Sequence, residues 1–175
     1  MSKQMEIRLS GSGGQGLILA GIILAEAALG DGKEAIQSQS YGPEARGGAS
    51  KAEVIISENP INYPKVRNCE LLLSLTQVAC DKYLKNLEPG GVLIADQSIE
   101  LPELKDITVY RLPIIETAEK ELKKPMVANI VALGALNKIA NAVSQDSLKN
   151  AILQRVPKGT EELNSKAFEA GINLL

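Results

Sequence analysis

The chain has 175 residues, 45% of them hydrophobic, with 19 basic and 21 acidic side chains and a formal net charge of -2. This length and composition predict one globular domain over residues 1–175 with a core of its own. The balanced charge, without a cluster of Lys and Arg, argues against nucleic acid or a membrane surface as a partner. Since the chain contains no histidine, it cannot form a Ser-His-Asp or Cys-His catalytic set or a His-ligated metal site by itself.

Cysteine content and hydropathy indicate the compartment. Cys69 and Cys80 are too few and too far apart for the four-thiolate sets that hold iron–sulfur clusters or structural zinc. We interpret them as core thiols in a reducing cytoplasm. The apolar run at 17–25 is far shorter than the ~20 residues that a membrane span needs. We therefore expect a soluble, cytoplasmic protein.

The first third of the chain predicts three strands and one helix. In chain order these are a strand at 5–9, a helix at 14–29 ended by Gly30 and Gly32, and strands at 34–38 and 52–56. The loop 40–48 between the last two strands is too short for a crossover helix. Those two strands are expected to be antiparallel or to lie in different parts of the sheet.

The rest of the chain alternates strands and helices and then becomes helical. The segments are a buried strand at 71–75, a helix at 78–87, strands at 91–95 and 108–112, and three helices. The helices are predicted at 126–143, from a cap at Ser144 through 148–156, and at 160–170. Such alternation predicts an α/β domain, with helices on both faces of the sheet. We expect a three-layer α/β/α domain whose sheet is mixed and mostly parallel.

A Rossmann-like glycine-rich turn joins the first strand to the first helix. Gly11, Gly13 and Gly16 have the spacing of the dinucleotide fingerprint. Glycine amides at a helix start favour an anion, so the N–H groups of Gly13, Gly14 and Gly16 are candidate donors. The acid that would hold a ribose hydroxyl is missing, because the second strand has its only acid, Glu34, at its start. The sequence thus disfavours NAD binding.

The loop that follows the second strand has unusual chemistry for a chain that is only 3% aromatic. Its notable residues are Tyr41, Gly42, Pro43, Glu44, Arg46, Gly47 and Gly48. An arginine that can bind carboxylate or phosphate through two hydrogen bonds, beside a tyrosine and a proline, indicates a functional loop. A rigid turn with a solvated Glu44 and Arg46 explains the same residues equally well.

Two predicted helices are apolar on nearly every side. Residues 17–25 carry no polar side chain, and residues 126–143 carry few. A helix on a sheet should meet water with its outer face, so we expect a partner subunit to cover these helices. The alternative is that neighbouring helices of the same domain cover them.

Four further residues have local interpretations. Thr76 is expected to cap a helix, and Asp96 to accept hydrogen bonds in a turn. Asn129 forms either a hydrogen bond across an interface or a satisfied buried amide within the chain. Gly134 is expected to permit close packing of two helices.

Three motifs in this order resemble one known family. They are Gly-Ser-Gly-Gly-Gln-Gly at 11–16, Ser-Tyr-Gly-Pro-Glu-Ala-Arg-Gly-Gly at 40–48 and Asn-Ile-Val-Ala-Leu-Gly at 129–134. The chain resembles, over nearly its whole length, the gamma subunit of the 2-oxoacid:ferredoxin oxidoreductases. The second motif is most similar to that of the 2-oxoglutarate branch. The pyruvate and branched-chain 2-oxoacid branches are the alternatives within the family.

The resemblance implies a subunit of a multi-chain enzyme that is not active alone. Such an enzyme decarboxylates a 2-oxoacid on thiamine diphosphate, passes electrons through iron–sulfur clusters to ferredoxin, and releases an acyl-CoA. Thiamine diphosphate, Mg²⁺, the clusters and coenzyme A are then expected on or with the alpha, beta and delta subunits. No catalytic residue and no metal ligand is assigned to this chain.

The candidate site consists of two loops that either bind a ligand or form an interface. Its residues are Gly11, Gly13, Gly14, Gln15, Gly16, Tyr41, Gly42, Pro43, Glu44, Arg46, Gly47 and Gly48. We expect the loops to meet at the carboxyl edge of the sheet and face the cleft of the partner subunits. Docking is favoured over binding of coenzyme A phosphates, because nothing in the sequence selects a phosphate over a protein carboxylate.

Two other classes of function remain open from the sequence. An independent dinucleotide-dependent dehydrogenase would be active as a monomer or homo-oligomer and would bind NAD or NADP. A binding or scaffold module would have no connection with redox chemistry, and only the two loop motifs argue against it.

Overall fold

The computed structural model describes residues 4–40 and 48–175. Within these ranges, six strands form one sheet. The strands are β1 (Gln4–Ser12), β2 (Glu34–Gln39), β3 (Ala49–Ser57), β4 (Cys69–Ser74), β5 (Leu87–Asp96) and β6 (Thr108–Leu112). Their order across the sheet is β2-β3-β1-β4-β5-β6.

The sheet is mixed, as predicted, because a single strand of the six runs against the others. The pairs β1–β4, β4–β5 and β5–β6 are parallel. Strand β3 is antiparallel to both of its neighbours, β1 and β2, so the antiparallel alternative for the second and third strands is confirmed. The β1–β3 pairing includes Arg8 opposite Glu53 and Ser12 opposite Ala49.

Helices lie on both faces of this sheet, so the three-layer α/β/α architecture is confirmed. They are α1 (Leu17–Gly30), α2 (Gln77–Tyr83), α3 (Ile114–Glu116), α4 (Ala128–Ala140), α5 (Gln145–Arg155) and α6 (Glu161–Ile172). One hydrophobic cluster joins Ile7 and Leu9 of β1 to the helices α1 and α4. A second cluster on the opposite face joins Leu72 and Leu93 to α2.

Several helix boundaries differ from the sequence prediction, and the helix predicted over 78–87 ends at Tyr83, before a 3₁₀ turn at Leu84–Asn86. Two of the differences follow from backbone conformation. The first helix begins at Leu17, not at residue 14, since Gly14 and Gly16 have φ values of 88° and 72° and form the turn before it. The long helix predicted over 126–143 ends at Ala140, where Asn141 is left-handed with φ 48°. A π turn at Thr117–Glu121, after α3, was not predicted.

The expectation that a foreign chain covers the apolar helices was wrong within the described residues. Helix α5 packs on α1, and α6 packs on α4, so that this chain itself provides the outer helices. The α4–α6 contact is so close that a Cβ on Gly134 would collide with the carbonyl oxygen of Phe168. The predicted role of Gly134 in close helix packing is confirmed.

The helices of the described residues were compared with the requirements for a membrane span. Among the helices formed by residues 4–40 and 48–175, none combines the length and the apolar character that crossing a bilayer requires.

Candidate functional site

The glycine-rich turn lies at the carboxyl edge of the sheet, where the strand order reverses. From β1 the chain leads to β2, which lies to one side of β1 in the strand order, whereas β4 and β5 lie to the other side of β1. Ligands of open α/β sheets gather at such a point. The ends of β1 and β4 are tied together, since the Leu75 N–H donates to the Ser10 carbonyl oxygen at 3.0 Å.

The side chain of Gln15 closes the turn from within. Its Oε1 accepts a hydrogen bond from the backbone N–H of Ser12 at 2.8 Å. A Cβ on Gly11 would collide with this same oxygen, so glycine at position 11 provides the space for the Gln15 carboxamide. The Ser12 amide is therefore used inside the turn. In the described part of the chain, the N–H groups of Gly13 and Gly14 have no hydrogen-bond acceptor.

Asn129 of α4 holds the other end of the turn. Its Nδ2 donates to the carbonyl oxygen of Gly16 at 3.1 Å, and its Oδ1 accepts from the N–H of Ile130 at 2.9 Å. Its side chain is buried, with 4% of the residue exposed. The sequence left open whether Asn129 bonds across an interface or within the chain. The structure shows a buried amide whose hydrogen bonds are made within the chain.

The second predicted loop lies almost wholly outside the described residues. Tyr41, Gly42, Pro43, Glu44, Arg46 and Gly47 are not described, whereas Gly48 is and is half-buried. The strands on either side are placed: Ala49 pairs with Ser12, and Gln39 pairs with Ala52. Residues 40 and 48 thus stand at the same edge of the sheet as the glycine-rich turn.

A small apolar cavity of about 210 Å³ borders the glycine-rich turn. It is formed where α1, α4 and α6 begin and α5 ends, and Leu19, Val127 and Ile130 are among its lining residues. Met126, on its rim, is 74% exposed. A larger cleft of about 600 Å³ lies at the opposite edge of the sheet and touches none of the predicted site residues that are described. Position beside the turn, not size, makes the smaller cavity relevant.

Two polar residues at the carboxyl edge have the structural roles expected from the sequence. Thr76 caps α2, because its Oγ1 accepts from the Ala79 N–H at 3.3 Å. Asp96 ends β5, and its carboxylate accepts from the N–H groups of Ser98 at 3.0 Å and Ile115 at 2.8 Å. Both side chains organise the backbone around the edge of the sheet.

Sequence reasoning missed a buried charged cluster on the α2 face of the sheet. Nη2 of Arg8 lies 2.6 Å from Oε2 of Glu53, and its guanidinium carbon is 5.5 Å from the ring centroid of Tyr83. Lys51 adds a second cation, 3.5 Å from Glu53. The alternation of Glu6, Arg8 and Ser10 with apolar residues in β1 was the available signal, since alternate residues of a strand share a face.

The two cysteines are buried and free, which fits their interpretation as core thiols. Burial raises the pKa of Cys69 to about 11 and also raises that of Cys80. Within residues 4–40 and 48–175, no three His, Cys, Asp or Glu side chains lie close enough together to share a metal ion. The two thiols are fewer than the four that an iron–sulfur cluster needs.

The comparisons with known proteins identify the class to which this domain belongs. The sequence profile of the pyruvate ferredoxin/flavodoxin oxidoreductase family matches residues 6–174. The chain therefore belongs to this family, and the resemblance found in the motifs is confirmed. The 2-oxoglutarate synthase subunit KorC of Methanocaldococcus jannaschii is 55% identical over 171 residues, which are 95% of this chain and 91% of that protein.

Two solved structures have the same fold. The gamma subunit of a keto/oxoacid ferredoxin oxidoreductase from Geobacter sulfurreducens superposes with a TM-score of 0.90 at 50% identity, covering 98% of this chain and 96% of that one. A 2-oxoglutarate:ferredoxin oxidoreductase from Magnetococcus marinus, with 2-oxoglutarate, coenzyme A and succinyl-CoA bound, also reaches 0.90 at 26% identity. The match covers 98% of this chain but 31% of that longer one.

Proposed function

We propose that this chain is the gamma subunit of a 2-oxoglutarate:ferredoxin oxidoreductase. In this reaction 2-oxoglutarate and coenzyme A give succinyl-CoA, CO₂, a proton and two electrons, and the two electrons reduce oxidised ferredoxin. The observation that carries the proposal is the 55% identity to the KorC subunit of 2-oxoglutarate synthase over nearly the full length of both chains. The pyruvate and branched-chain branches of the family are the alternatives that a substrate profile tests.

In this proposal the redox and decarboxylation chemistry belongs to other subunits. Thiamine diphosphate, Mg²⁺ and iron–sulfur clusters are held by the alpha, beta and delta chains, and ferredoxin is met through the complex. Thiamine diphosphate supplies the electron sink for loss of CO₂. The two buried thiols, too few for an iron–sulfur cluster, support this division.

The contribution of this chain is a shaped surface at the carboxyl edge of its sheet. The glycine-rich turn presents the backbone N–H groups of Gly13 and Gly14, and the strands around residues 41–47 bring the ends of that segment to the same edge. We propose that these two loops dock against the thiamine-bearing subunits and shape the cleft, with Arg46 paired to a partner carboxylate.

A second role for the same surface is to hold the phosphates of coenzyme A. The Magnetococcus marinus oxidoreductase has coenzyme A bound, and a region of it is similar to nearly all of this chain. Backbone amides of a glycine-rich turn and an arginine are suited to phosphate oxygens. Docking and phosphate binding make different predictions for the same variant.

Arg46→Ala in the co-expressed complex separates these roles. Docking predicts loss of assembly, with an unchanged KM for coenzyme A in the complex that still forms. Phosphate binding predicts normal assembly and a KM raised about tenfold, the effect of losing one charged hydrogen bond worth ~1.5 kcal/mol. The matched control is Arg67→Ala, an exposed arginine stacked on Tyr63 in the loop after β3. If assembly and KM both stay at control values, neither role is right.

A further inference from the structure

We infer that Asn129 is a positioning residue that fixes the glycine-rich turn from outside it. If the turn is fixed in this way, Asn129 also supports assembly of the complex. That consequence rests on the proposed function, because it assumes that the turn is part of the docking surface, whereas the contact between Asn129 and the turn does not depend on the function. Asn129 and Gly16 are 113 positions apart in the chain and are joined by one hydrogen bond, from Nδ2 to the carbonyl oxygen, at 3.1 Å.

The Gly16 carbonyl oxygen is the point at which α1 begins. It accepts from the N–H of Ala20 at 3.0 Å, which is the first hydrogen bond of the helix, and from Asn129 as well. A carbonyl oxygen has two lone pairs, so both hydrogen bonds are satisfied together. Since Gly16 also has a positive φ of 72°, the Asn129 amide holds the residue at which the turn becomes a helix.

Steric fit reinforces the hydrogen bond. A Cβ on Gly16 would lie 2.5 Å from Nδ2 of Asn129, so the amide occupies the space that any other residue at position 16 would need. Asn129 is itself held, because its Oδ1 accepts from Ile130 at 2.9 Å. The contact therefore has a defined orientation on the α4 side.

Asn129 completes a two-ended clamp on the turn. Gln15 fixes the strand end by accepting from Ser12, and Asn129 fixes the helix end at Gly16. The N–H groups of Gly13 and Gly14, between the two clamped ends, have no acceptor among the described residues. A rigid frame around open donors is what preorganised recognition of an oxygen-rich partner needs.

Helix α4 is a suitable anchor because it cannot shift easily. Gly134 of α4 and Gly171 of α6 let the two backbones touch, and a Cβ on either glycine would collide with the other helix. Of the residues of α4, Ala128 to Asn137 are all buried. The position of the turn is thus fixed relative to a buried helix in close backbone contact with α6.

The test compares Asn129→Asp with Asn137→Asp in the assembled complex. The first change keeps the size and the acceptor for Ile130 and replaces the donor to Gly16 by a carboxylate oxygen. Asn137 is a matched control on the same helix: it is also buried, donates to the Val143 carbonyl oxygen at 2.9 Å, and accepts from the Val143 N–H at 3.1 Å. An acid is favoured near the start of a helix and disfavoured near its end, so the control loses more stability.

Hydrogen–deuterium exchange of the amides at residues 13–19 is the first readout. Asn129→Asp is expected to speed exchange there about fivefold, the factor that corresponds to one hydrogen bond of ~1 kcal/mol, and Asn137→Asp is expected to leave it unchanged. Equal exchange at these residues in Asn129→Asp and the unmodified complex would overturn the inference, whatever the function of the chain proves to be.

Assembly and turnover are the second readout. For Asn129→Asp we expect the complex to dissociate on dilution at an about fivefold higher concentration than the unmodified complex. Faster exchange in the turn without weaker assembly and without a raised KM for coenzyme A would overturn the functional half of the inference. Because Arg46→Ala tests the proposed function without Asn129, failure of one is distinguishable from failure of the other.

Discussion

Arg8 of β1 and Glu53 of β3 face each other across the β1–β3 pairing and form an ion pair 2.6 Å long. Both side chains are about nine-tenths buried, at 9% and 10% exposure. Nε of Arg8 donates a second hydrogen bond to the same carboxylate oxygen at 2.9 Å, so two nitrogen atoms of the guanidinium bind one oxygen of Glu53. The pair fixes the register of β1 against β3, and hence the position of Ser12 beside Ala49 at the site.

Glu53→Gln is expected to destabilise the chain by about 3 kcal/mol, because it leaves the Arg8 charge buried with a neutral partner. Replacing both residues by Met is expected to cost less than the single change, since neither charge is then buried. Urea denaturation of the purified proteins measures both effects. A loss below about 1 kcal/mol for Glu53→Gln would show that Arg8 is stabilised by other groups.

Asp31 joins the end of α1 to the start of α5. Its carboxylate accepts from the Ser147 hydroxyl at 2.6 Å, and from the Ser144 hydroxyl at 2.7 Å and N–H at 2.6 Å. Burial alone would raise the pKa of Asp31, but these hydrogen bonds outweigh burial and hold the pKa below 3.8. The carboxylate therefore contributes stability above the pKa of the unfolded chain, and this contribution is lost as pH falls through the lower folded value.

Asp31→Asn should consequently lower stability by about 1 kcal/mol at pH 7. The difference from the unmodified chain should shrink as the pH is taken below 3.8. Unfolding midpoints measured at several pH values provide the comparison. A difference that stays constant from neutral to acid pH would contradict the assigned hydrogen bonds.

Two helical glycines should respond oppositely to alanine. Gly134→Ala is expected to cost about 2 kcal/mol, because its Cβ meets the Phe168 carbonyl oxygen and the backbone cannot move aside. Gly30→Ala is the control: its Cβ would be 3.5 Å from the Ser147 hydroxyl, and the change should be neutral or stabilise by up to about 1 kcal/mol. Thermal unfolding distinguishes the two, and equal midpoints would refute the close α4–α6 contact.

The thiols should be inert in the folded protein. With a pKa of about 11 for Cys69, roughly one thiol in a thousand is ionised at pH 8, and both side chains are shielded from reagents. An aromatic disulfide reagent is expected to titrate Cys69 and Cys80 only after denaturation. Rapid reaction of either thiol in the native complex would mean that the core opens.

Local sequence patterns were sufficient to predict most helices and strands, because the formation of these elements depends on residues close together in the chain. The strand at 108–112 agrees with β6 at both ends, since Pro113 follows it directly. The start of α1 was misplaced because the turn extends to Gly16, which has a positive φ and whose carbonyl oxygen is held by Asn129, a tertiary contact that a local pattern does not show.

Long-range partners were beyond the reach of the sequence. Apolar faces on α1 and α4 indicated that something must cover them, but the pattern cannot distinguish a foreign chain from α5 and α6 of the same one. The Arg8–Glu53 pair likewise needs the β1–β3 register, which sequence spacing does not define. For the site, the motifs identified the turn, whereas its clamp by Asn129 required the folded structure.

The most direct test of the central claim is purification of this chain from native extract under mild conditions, followed by identification of the accompanying chains and cofactors. The account predicts co-purification with thiamine diphosphate-binding and iron–sulfur subunits, and ferredoxin reduction that depends on both 2-oxoglutarate and coenzyme A. A chain that elutes alone, or that reduces NAD without partners, would contradict it.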